Sequence, residues 1–234
     1  MWLYYVTDRK QFPGGPAEQR RRVLDKIAEA TSCGVDFIQL REKDLSPREL
    51  EKLSRDAVAA IREAPVPTPR ASHSAHHRSK LLINSRVDIA IAVGADGVHL
   101  PADDLSPAEA RAIWDKAVGH RGPAVIGVSC HSAADVRRAH GDGADFAVFA
   151  PVFEKVTASG KQTGSGLEAL RVACESATSH SPTARKAFPV FALGGLTLDN
   201  AQSCFEAGAP GIAGIRLFQD HDVKTVVARL IGRS

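Results

Sequence analysis

Cysteine and the larger aromatic residues are scarce in this chain. Its 234 residues include two tryptophans, two tyrosines and four cysteines, namely Cys33, Cys130, Cys174 and Cys204. The cysteines are far apart and show none of the short spacings typical of metal sites, so we expect reduced thiols and a cytoplasmic location. The scarcity of Trp and Tyr argues against stacking on nucleic-acid bases, and no nucleic-acid partner is expected.

The chain also lacks a strong charge imbalance and a long apolar segment. Its formal net charge is +3, and the densest basic cluster, Arg20-Arg21-Arg22, lies in a predicted helix. A solvated helix face explains this cluster more simply than a nucleic-acid patch. No apolar run is long enough to cross a bilayer, so no membrane partner is expected. Residues 1–6 read directly into a strand, which argues against a signal peptide.

Short apolar runs alternate with helix-like stretches along most of the chain. The eight runs are Leu3–Thr7, Phe37–Leu40, Leu81–Ile83, Gly97–Leu100, Val125–Val128, Phe146–Phe149, Pro189–Leu193 and Gly211–Ile215. The predicted helices are Ala17–Ser32, Pro47–Glu63, Arg86–Val93, Pro107–Ala117, Ala133–Ala139, Leu167–Ser176, Leu198–Ala207 and Val223–Ile231. This alternation predicts an α/β fold, a single (β/α)8 TIM barrel. An open doubly wound sheet is the alternative.

One stretch interrupts the alternation. Residues 64–78 are rich in Pro, Ser and His, which is typical of a surface insertion in a single-domain barrel spanning residues 1–234. The insertion contains His73, His76 and His77. These histidines could bind a metal ion, but a solvated loop is the simpler interpretation.

Polar residues follow the second apolar run on one side of the predicted strand. Strand alternation places Gln39, Arg41 and Lys43 on one face, and Ile38 and Leu40 on the other. Arg offers a planar donor fork that suits phosphate, and Lys offers a mobile positive charge. The segment therefore predicts an anion-binding site, with a solvated strand end as the alternative.

In a barrel of this type, the residues at the carboxyl ends of the strands carry the chemistry. The other candidates at these ends are Thr7, Asp8, Asn84, Ser85, Asp103, Asp104, Ser129, His131, Gly194, Gly195 and Arg216. The glycine pair after the seventh run would bring bare backbone N–H groups close to a phosphate. Arg216 follows the eighth run, and this pair of positions is the usual phosphate site of such barrels.

Several segments, taken in order, closely resemble the thiamin phosphate synthase and TenI family. They are Tyr5-Val6-Thr7-Asp8, Ile38-Gln39-Leu40-Arg41-Glu42-Lys43, Leu82-Ile83-Asn84-Ser85-Arg86-Val87-Asp88-Ile89-Ala90, Ala95-Asp96-Gly97-Val98-His99-Leu100, Ile126-Gly127-Val128-Ser129-Cys130-His131-Ser132, Pro151-Val152-Phe153 and Ala192-Leu193-Gly194-Gly195-Leu196. The resemblance covers nearly the whole chain apart from the insertion. It implies a barrel that binds thiazole phosphate and, in the synthase, also hydroxymethylpyrimidine diphosphate.

The resemblance implies a role for each matching residue. Gln39, Arg41, Lys43 and Asn84 would bind the pyrimidine diphosphate, Ser129 would face the pyrimidine, and Asp104 would bind Mg²⁺. Gly194 and Gly195 would hold the thiazole phosphate, with Arg216 and Thr157 as further substrate contacts. The catalytic candidates are Lys43, Ser129 and His131, the last because TenI-type thiazole tautomerases move a proton with a histidine. A homo-oligomer is compatible with these features.

The chain departs from the synthase pattern at three places. Synthases read Asn-Asp after the third strand, whereas this chain reads Asn84-Ser85 and therefore lacks one Mg²⁺ carboxylate. The lysine expected after the sixth strand falls on Ala158, so Lys155 or Lys161 would have to replace it. The small serine position after the eighth strand is Arg216.

These departures leave three functions open. The first is a thiamin phosphate synthase with a weakened metal site, in which case Mg²⁺ is the expected cofactor. The second is a TenI-like tautomerase, or a related barrel that acts on a phosphorylated heterocycle. The third is a non-catalytic barrel that binds a phosphorylated ligand.

Overall fold

Eight parallel strands close into a barrel in the computed structural model, which describes residues 1–66, 78–119, 122–157, 160–178 and 188–232. The barrel strands are β1 (Trp2–Val6), β2 (Phe37–Leu40), β3 (Lys80–Asn84), β4 (Gly97–Leu100), β5 (Val125–Cys130), β6 (Phe146–Phe149), β9 (Val190–Ala192) and β10 (Gly211–Gly214). Neighbouring strands pair in the order β1-β10-β9-β6-β5-β4-β3-β2, and β2 closes the ring on β1. The predicted closed barrel is confirmed, and the open sheet is excluded.

Helices follow the strands around the outside of the barrel. They are α1 (Pro16–Ser32), α2 (Pro47–Glu63), α3 (Val87–Val93), α4 (Pro107–Val118), α5 (Ala133–Gly141), α6 (Gly166–Thr178), α7 (Ala201–Glu206), α8 (Arg216–Gln219) and α9 (Val223–Ile231). A short 3-10 turn, Arg9–Gln11, precedes α1. No helix among the described residues combines the length and the apolar character that crossing a bilayer requires.

Local sequence signals explain where α2 and α4 begin. Ser46 accepts a hydrogen bond from the Glu49 N–H, and the Glu49 carboxylate accepts one from the Ser46 N–H. Ser106 and Glu109 form the same reciprocal pair at the start of α4. These capping boxes satisfy backbone donors that the helix itself leaves unpaired, and each is followed by a proline at the first helical position.

Three details of the fold differ from the sequence-based expectation. A two-stranded hairpin, β7 (Lys155–Thr157) with β8 (Gly160–Gln162), lies between β6 and α6 and was not predicted. The helix α8 was also not predicted. The helix α7 begins at Ala201 rather than at residue 198. Its start is delayed because Thr197 and Asn200 bond to each other's backbone N–H groups and hold residues 197–200 in a turn.

A repeated aspartate ties neighbouring strands together at the amino-terminal end of the barrel. Asp36, Asp96 and Asp145 each directly precede the first residue of a strand, and each follows a Gly-Val or Gly-Ala pair. Their carboxylates accept the backbone N–H groups of Leu3, Leu81 and Ile126, which lie on the adjacent strands. The repeat therefore fixes strand spacing at the end of the barrel opposite the candidate site.

The apolar core has two layers. The larger lies between the strands and the helices and includes Ile38 and Leu40. The smaller fills the barrel interior and is mainly aromatic, with Tyr4, Phe37, Leu82, Phe146, Val148, Phe191 and Ala213. Because the interior is filled by these side chains, only the carboxyl-terminal mouth of the barrel remains for ligands.

The predicted insertion falls largely outside the described residues. Helix α2 ends at Glu63, and β3 begins at Lys80. Residues 67–77, which include His73, His76 and His77, are not described. The insertion and the single-domain boundaries therefore stay predictions.

Candidate active site

The residues after β2 lie at the mouth of the barrel as the strand pattern predicts. Gln39 is buried and points inward, since its Nε2 donates to the Tyr4 hydroxyl at 3.0 Å, while Ile38 and Leu40 pack in the outer layer. Arg41 is partly exposed, and Lys43 is exposed. The strand itself ends at Leu40, so alternation does not determine where the Lys43 side chain points.

A buried ionic cluster holds the loop that carries these two cations. The Glu42 carboxylate accepts hydrogen bonds from the Thr7 hydroxyl at 2.7 Å, the Arg9 backbone N–H at 3.1 Å and the Arg9 guanidinium at 3.0 Å. Arg9 also forms a two-pronged ion pair with Asp44. The Arg41 N–H donates to the Thr7 hydroxyl at 3.0 Å. The backbone on both sides of Arg41 and Lys43 is therefore fixed.

The pKa values of the two carboxylates in this cluster shift in opposite directions. The hydrogen bonds from Arg9 hold the pKa of Asp44 well below its usual range. Burial raises the pKa of Glu42, although the hydrogen bonds from Thr7 and Arg9 oppose the shift. Glu42 and Arg9 are thus occupied with each other, whereas Arg41 and Lys43 take part in no ion pair among the described residues.

The predicted metal residue lies across the mouth, against the residue that departs from the family pattern. The Ser85 hydroxyl donates to an Asp104 carboxylate oxygen, and the other Asp104 oxygen accepts the Leu105 N–H. Ser85 has a φ of 67°, which places it in the left-handed region. Asn84 is partly exposed at the end of β3, whereas Asp103 is exposed. The structure therefore brings Ser85 to Asp104.

Ser129 lies on β5, close to Asp104. A cavity of about 210 Å³ lies between the start of α4 and α5, and both residues are part of its lining, together with Glu109, Asp135 and Arg138. The Ser129 hydroxyl lies 2.9 Å from the Nε2 of His99, whose ring lies in the barrel interior. The roles of Asp104 as a metal ligand and of Ser129 as a ligand contact stay predictions.

His131 is held by a backbone carbonyl just beyond β5. Its Nδ1 lies 2.6 Å from the Ala150 oxygen. A carbonyl oxygen only accepts hydrogen bonds, so Nδ1 carries a proton, and the neutral ring has its lone pair at Nε2. The residue is exposed. Its Nε2 is therefore available to take up a proton from a ligand.

Gly194 and Gly195 lie where the loop after β9 packs closely against the loop after β6. Their φ values are 101° and 64°. A Cβ atom would lie 2.7 Å from the Pro151 Cα at Gly194, and 2.5 Å from the Glu154 oxygen at Gly195. Within the described residues, the N–H groups of both glycines have no hydrogen-bond acceptor. Glycine is required here for packing, and the same geometry leaves backbone donors for an anion.

Arg216 and Thr157 complete the predicted site. Arg216 is the first residue of α8 and is exposed, and no ion pair involves it in the part of the chain that the structure describes. Thr157 lies at the end of β7, but its side chain is outside the described residues, as are those of Lys155 and Lys161. Ala158 is not described. The choice of lysine therefore stays a prediction.

A larger cavity of about 440 Å³ lies away from the mouth, beside α1 and α8. Its basic side chains are paired with acidic neighbours, Arg21 with Asp25 and Lys26 with Glu29. Since these charges compensate each other, the cavity offers less to an anionic ligand than the mouth does.

The sequence and the fold of this chain match known proteins across almost its full length. A family model described as thiamine monophosphate synthase matches residues 3–218. The chain belongs to this family. The thiamine-phosphate synthase of Methanoculleus marisnigri is 35% identical over 227 residues, covering 97% of this chain and 92% of the relative. That of Syntrophomonas wolfei is 34% identical over 211 residues, covering 90% and 85%.

A solved structure gives the same result. The thiamine phosphate pyrophosphorylase from Pyrococcus furiosus superposes with a TM-score of 0.71 at 27% identity, covering 99% of this chain and 94% of that one. A 3-hexulose-6-phosphate synthase at 17% identity and a TM-score of 0.65 shares the fold. These matches confirm the resemblance and the prediction of a thiamin phosphate synthase-like enzyme of thiamin biosynthesis, a transferase.

The thiamine monophosphate synthase family implies Mg²⁺, and the donor set at the mouth fits one such ion. No group of three or more His, Cys, Asp or Glu side chains suited to a metal occurs among the described residues. Mg²⁺ is typically held by one or two carboxylates, with water and substrate phosphates filling the other positions. Asp104 supplies one carboxylate, and the Ser85 hydroxyl lies against it. A Mg²⁺ ion bound here would therefore have one protein carboxylate as a ligand rather than two.

Reasoning from the sequence missed the buried partners of the predicted site. Arg9 and Glu42 lie beside predicted residues, but nothing in the sequence indicates that they pair with each other. Tyr4 and His99 lie inside the barrel and connect Gln39 to Ser129. Strand alternation carried a signal for His99, because it places this polar side chain on the inward face of β4, opposite Val98 and Leu100.

Proposed function

We propose that this chain couples hydroxymethylpyrimidine diphosphate to thiazole phosphate and releases pyrophosphate. The observation that supports the proposal is the position of Arg41, Asp104 and Ser129 at the carboxyl ends of β2, β4 and β5, with Arg41 outside the ion pairs that occupy Glu42 and Arg9. Together they offer positive charge for a diphosphate, a hydroxyl for a ring and a carboxylate for a hard cation.

The reaction breaks one bond and forms one. The bond between the pyrimidine methylene carbon and the diphosphate oxygen breaks, and its electron pair leaves with pyrophosphate. The lone pair of the thiazole nitrogen then forms a new bond to the methylene carbon. The barrier therefore depends on stabilising negative charge on the leaving diphosphate and on placing the thiazole nitrogen opposite it.

In the proposed mechanism each part of the mouth meets one of these needs. Arg41 and Lys43 bind the diphosphate and stabilise the charge that it gains. Asn84 adds a hydrogen bond, and Gln39 and Ser129 orient the pyrimidine. Mg²⁺ held at Asp104, when bound, would neutralise diphosphate oxygens.

A second part of the mouth would hold the acceptor. Gly194, Gly195 and Arg216 are proposed to bind the phosphate of the thiazole, with Thr157 as a further contact. Their backbone donors and positive charge suit a phosphate dianion. The thiazole would then lie between its phosphate site and the pyrimidine.

A second candidate function is proton transfer on a thiazole, as in TenI-type tautomerases. The observation that favours it is the hydrogen bond that fixes His131 through Nδ1 and leaves Nε2 as a proton acceptor. This function needs neither the diphosphate cations nor Mg²⁺.

One set of assays separates these functions. The purified chain is incubated with the pyrimidine diphosphate and thiazole phosphate, with and without Mg²⁺, and pyrophosphate release is measured. Mg²⁺-dependent release supports the proposed transferase. Proton exchange on the thiazole without release would favour the tautomerase, and tight binding of either ligand without turnover would favour a non-catalytic binding protein.

The metal site sets an expectation for the rate. Because one protein carboxylate binds Mg²⁺ less tightly than two, we expect weak Mg²⁺ dependence and slow coupling. Fast coupling with a strict Mg²⁺ requirement at low concentration would show that the loss of the carboxylate at Ser85 is compensated elsewhere.

A further inference from the structure

Four polar side chains form a continuous line of hydrogen bonds across the barrel interior. The Gln39 Nε2 lies 3.0 Å from the Tyr4 hydroxyl, which lies 3.1 Å from the His99 Nδ1. The His99 Nε2 lies 2.9 Å from the Ser129 hydroxyl. The line starts on β2, passes through β1 and β4, and ends on β5. Tyr4 and His99, at its centre, have no role in the proposed mechanism.

The hydrogen-bonding capacities of these groups allow two opposite polarities of the line, and the orientation of the Gln39 amide selects one of them. The Gln39 amide donates to the Tyr4 oxygen, so the Tyr4 proton is directed to the His99 Nδ1. The His99 proton then lies on Nε2 and is donated to the Ser129 oxygen. The Ser129 proton is left without an acceptor among the described residues, and it is free to bond a ligand.

The charge of Arg41 favours this polarity over the reverse. Arg41 follows the last residue of β2, and its positive charge reaches the line, since it contributes to the lowered pKa of His99. A positive charge at this end of the line favours a Gln39 amide whose oxygen, rather than its NH₂ group, is turned toward it. The NH₂ group is therefore the one that faces Tyr4. The reverse polarity would turn the amide and make Ser129 a donor to His99 instead of to a ligand.

The surroundings keep all members of the line neutral. The Tyr4 ring packs edge-on against Phe37 and Phe146, and a Cβ at Gly127 would lie 2.9 Å from the His99 Nδ1. Burial lowers the pKa of His99 to about 3, with a further lowering by the Arg41 charge. Burial raises the pKa of Tyr4. A ring that stays neutral in this way can accept a hydrogen bond at one nitrogen and donate one at the other without becoming charged.

We propose that Tyr4 and His99 are positioning residues that hold Ser129 as a hydrogen-bond donor toward the ligand in the mouth. The site then selects a heteroaromatic ring that presents an unprotonated nitrogen to Ser129, and it disfavours a ring with C–H or N–H at that place. This selectivity rests on the proposed function, since a pyrimidine is the ring concerned.

The polarity of the line is tested without any ligand. Nitrogen-15 NMR of the intact, histidine-labelled protein at neutral pH distinguishes a protonated from an unprotonated ring nitrogen, and the His99→Gln spectrum assigns the signals. We expect Nε2 of His99 to carry the proton and Nδ1 to be a bare acceptor from pH 5 to 8. A proton on Nδ1, or titration of His99 within this range, would overturn the proposal.

The effect on ligand binding is tested with two variants of β1, and each variant lacks one buried hydroxyl. Tyr4→Phe breaks the line, whereas Tyr5→Phe removes a hydroxyl that bonds Gln219 outside the barrel interior. The ligands are hydroxymethylpyrimidine diphosphate and its two pyridine analogues, each with one ring nitrogen replaced by CH. We expect one analogue to bind the wild type and Tyr5→Phe about 3- to 10-fold more weakly than the pyrimidine, and Tyr4→Phe to lose most of this preference.

Substitution of His99 separates positioning from packing. The His99→Gln amide can still donate to Ser129, whereas His99→Phe fills the space without a donor. The preference for the pyrimidine over the pyridine analogue should therefore be largest in the wild type, smaller in His99→Gln and smallest in His99→Phe. We expect this order whatever the order of thermal stability. If the preference follows stability instead, or is equal in Tyr4→Phe and Tyr5→Phe, the proposal is wrong. If no form binds the pyrimidine, the proposed function and the ring selectivity both fail, and the NMR result alone then decides the polarity of the line.

Discussion

At the scale of single residues, Ser85 combines an uncommon backbone conformation with a contact to Asp104. Its φ of 67° lies in the region where Asn and Asp are enriched and Ser is not. An aspartate here would relieve the backbone and would also place a second carboxylate beside Asp104. The two effects can be separated because asparagine provides the first without the second.

Ser85→Asp and Ser85→Asn form a matched pair of variants. Without Mg²⁺, we expect Ser85→Asn to raise the melting temperature slightly and Ser85→Asp to lower it, since the added carboxylate repels Asp104. Millimolar Mg²⁺ should stabilise Ser85→Asp more than either other form, because a ligand that binds only the native state stabilises it by an amount that increases with the logarithm of its affinity. The measurement is thermal unfolding across a Mg²⁺ titration.

The coupling rate adds a second criterion for this position. Faster coupling by Ser85→Asp would identify the missing carboxylate as the limit on the reaction. Stronger Mg²⁺ binding without coupling would point to Arg216 or Ala158 as the obstacle. An equal response of both variants to Mg²⁺ would contradict the placement of the metal at Asp104.

Burial of the His99 ring makes the free energy of unfolding of the chain depend on pH. Its pKa is about 3 in the folded chain and about 6.5 in an unfolded one. Between these values the unfolded state binds more protons than the native state, so the stability contributed by His99 is lost as the pH falls below 6.5. From pH 7 to pH 5 the loss should reach about 2 kcal/mol, at about 1.4 kcal/mol per pH unit below 6.5.

The variant His99→Gln provides the comparison. Chemical denaturation at pH 7 and pH 5 gives the free energy of unfolding of both forms, and the wild type should lose more of it. The difference between the two losses isolates His99 from the other eight histidines. An equal loss in both forms would mean that the ring is protonated in the folded chain.

At the scale of elements, the loop after β2 divides its charges between structure and ligand. Arg9 pairs with the buried Glu42 and with the exposed Asp44, whereas Arg41 and Lys43 take part in no ion pair among the described residues. Two arginines 32 residues apart thus have different functions, although both lie just after a barrel strand. The difference comes from what each one contacts.

Alanine substitutions at Arg41 and Arg9 should have opposite profiles. Arg41→Ala should weaken binding of an anionic ligand by about 1.5–3 kcal/mol and leave the melting temperature close to that of the wild type. Arg9→Ala leaves Glu42 buried without its cation and should cost about 3–5 kcal/mol of folding stability. Calorimetric binding of pyrophosphate and thermal unfolding report the two effects. A large drop in stability of Arg41→Ala with unchanged binding would show that Arg41 is structural.

At the scale of the whole molecule, the mouth is assembled from segments that are distant in the sequence. Gly194 and Gly195 follow β9, Arg216 starts α8, and the loop after β6 packs against the glycine pair. Closure of β10 on β1 brings these segments to the same end of the barrel as Arg41. An anion bound there would contact groups from the loops after β9 and β10.

The phosphate site gives a prediction at this scale. A crystal grown in phosphate should show the anion within hydrogen-bond reach of the Gly194 and Gly195 N–H groups and of Arg216. Arg216→Ala should weaken phosphate binding, while Arg229→Ala, which removes another partly exposed arginine, should not. Arg216 turned into solvent, with no anion beside the glycines, would refute the site.

The amino-acid sequence alone predicted most of the strands and helices, and it placed the candidate site residues after the strands. Period-two alternation fixes which side of β2 faces inward, and the paired Ser and Glu signals fix the starts of α2 and α4. All parallel strands of a closed barrel end at one rim. The residues that follow each strand can therefore be predicted to lie at this rim, although their contacts are not known from the sequence. These inferences succeed because they depend on local periodicity and on topology.

The tertiary structure alone decided how the polar residues pair. Thr7, Arg9, Glu42 and Asp44 form a cluster because barrel closure places the ends of β1 and β2 side by side. The line from Gln39 to Ser129 crosses four strands, and the hydrogen bond between Ser85 and Asp104 joins two loops. Such contacts depend on distances of a few ångströms between distant segments, which no local pattern encodes. The sequence therefore indicated which groups could act, and the fold determined which of them are already engaged.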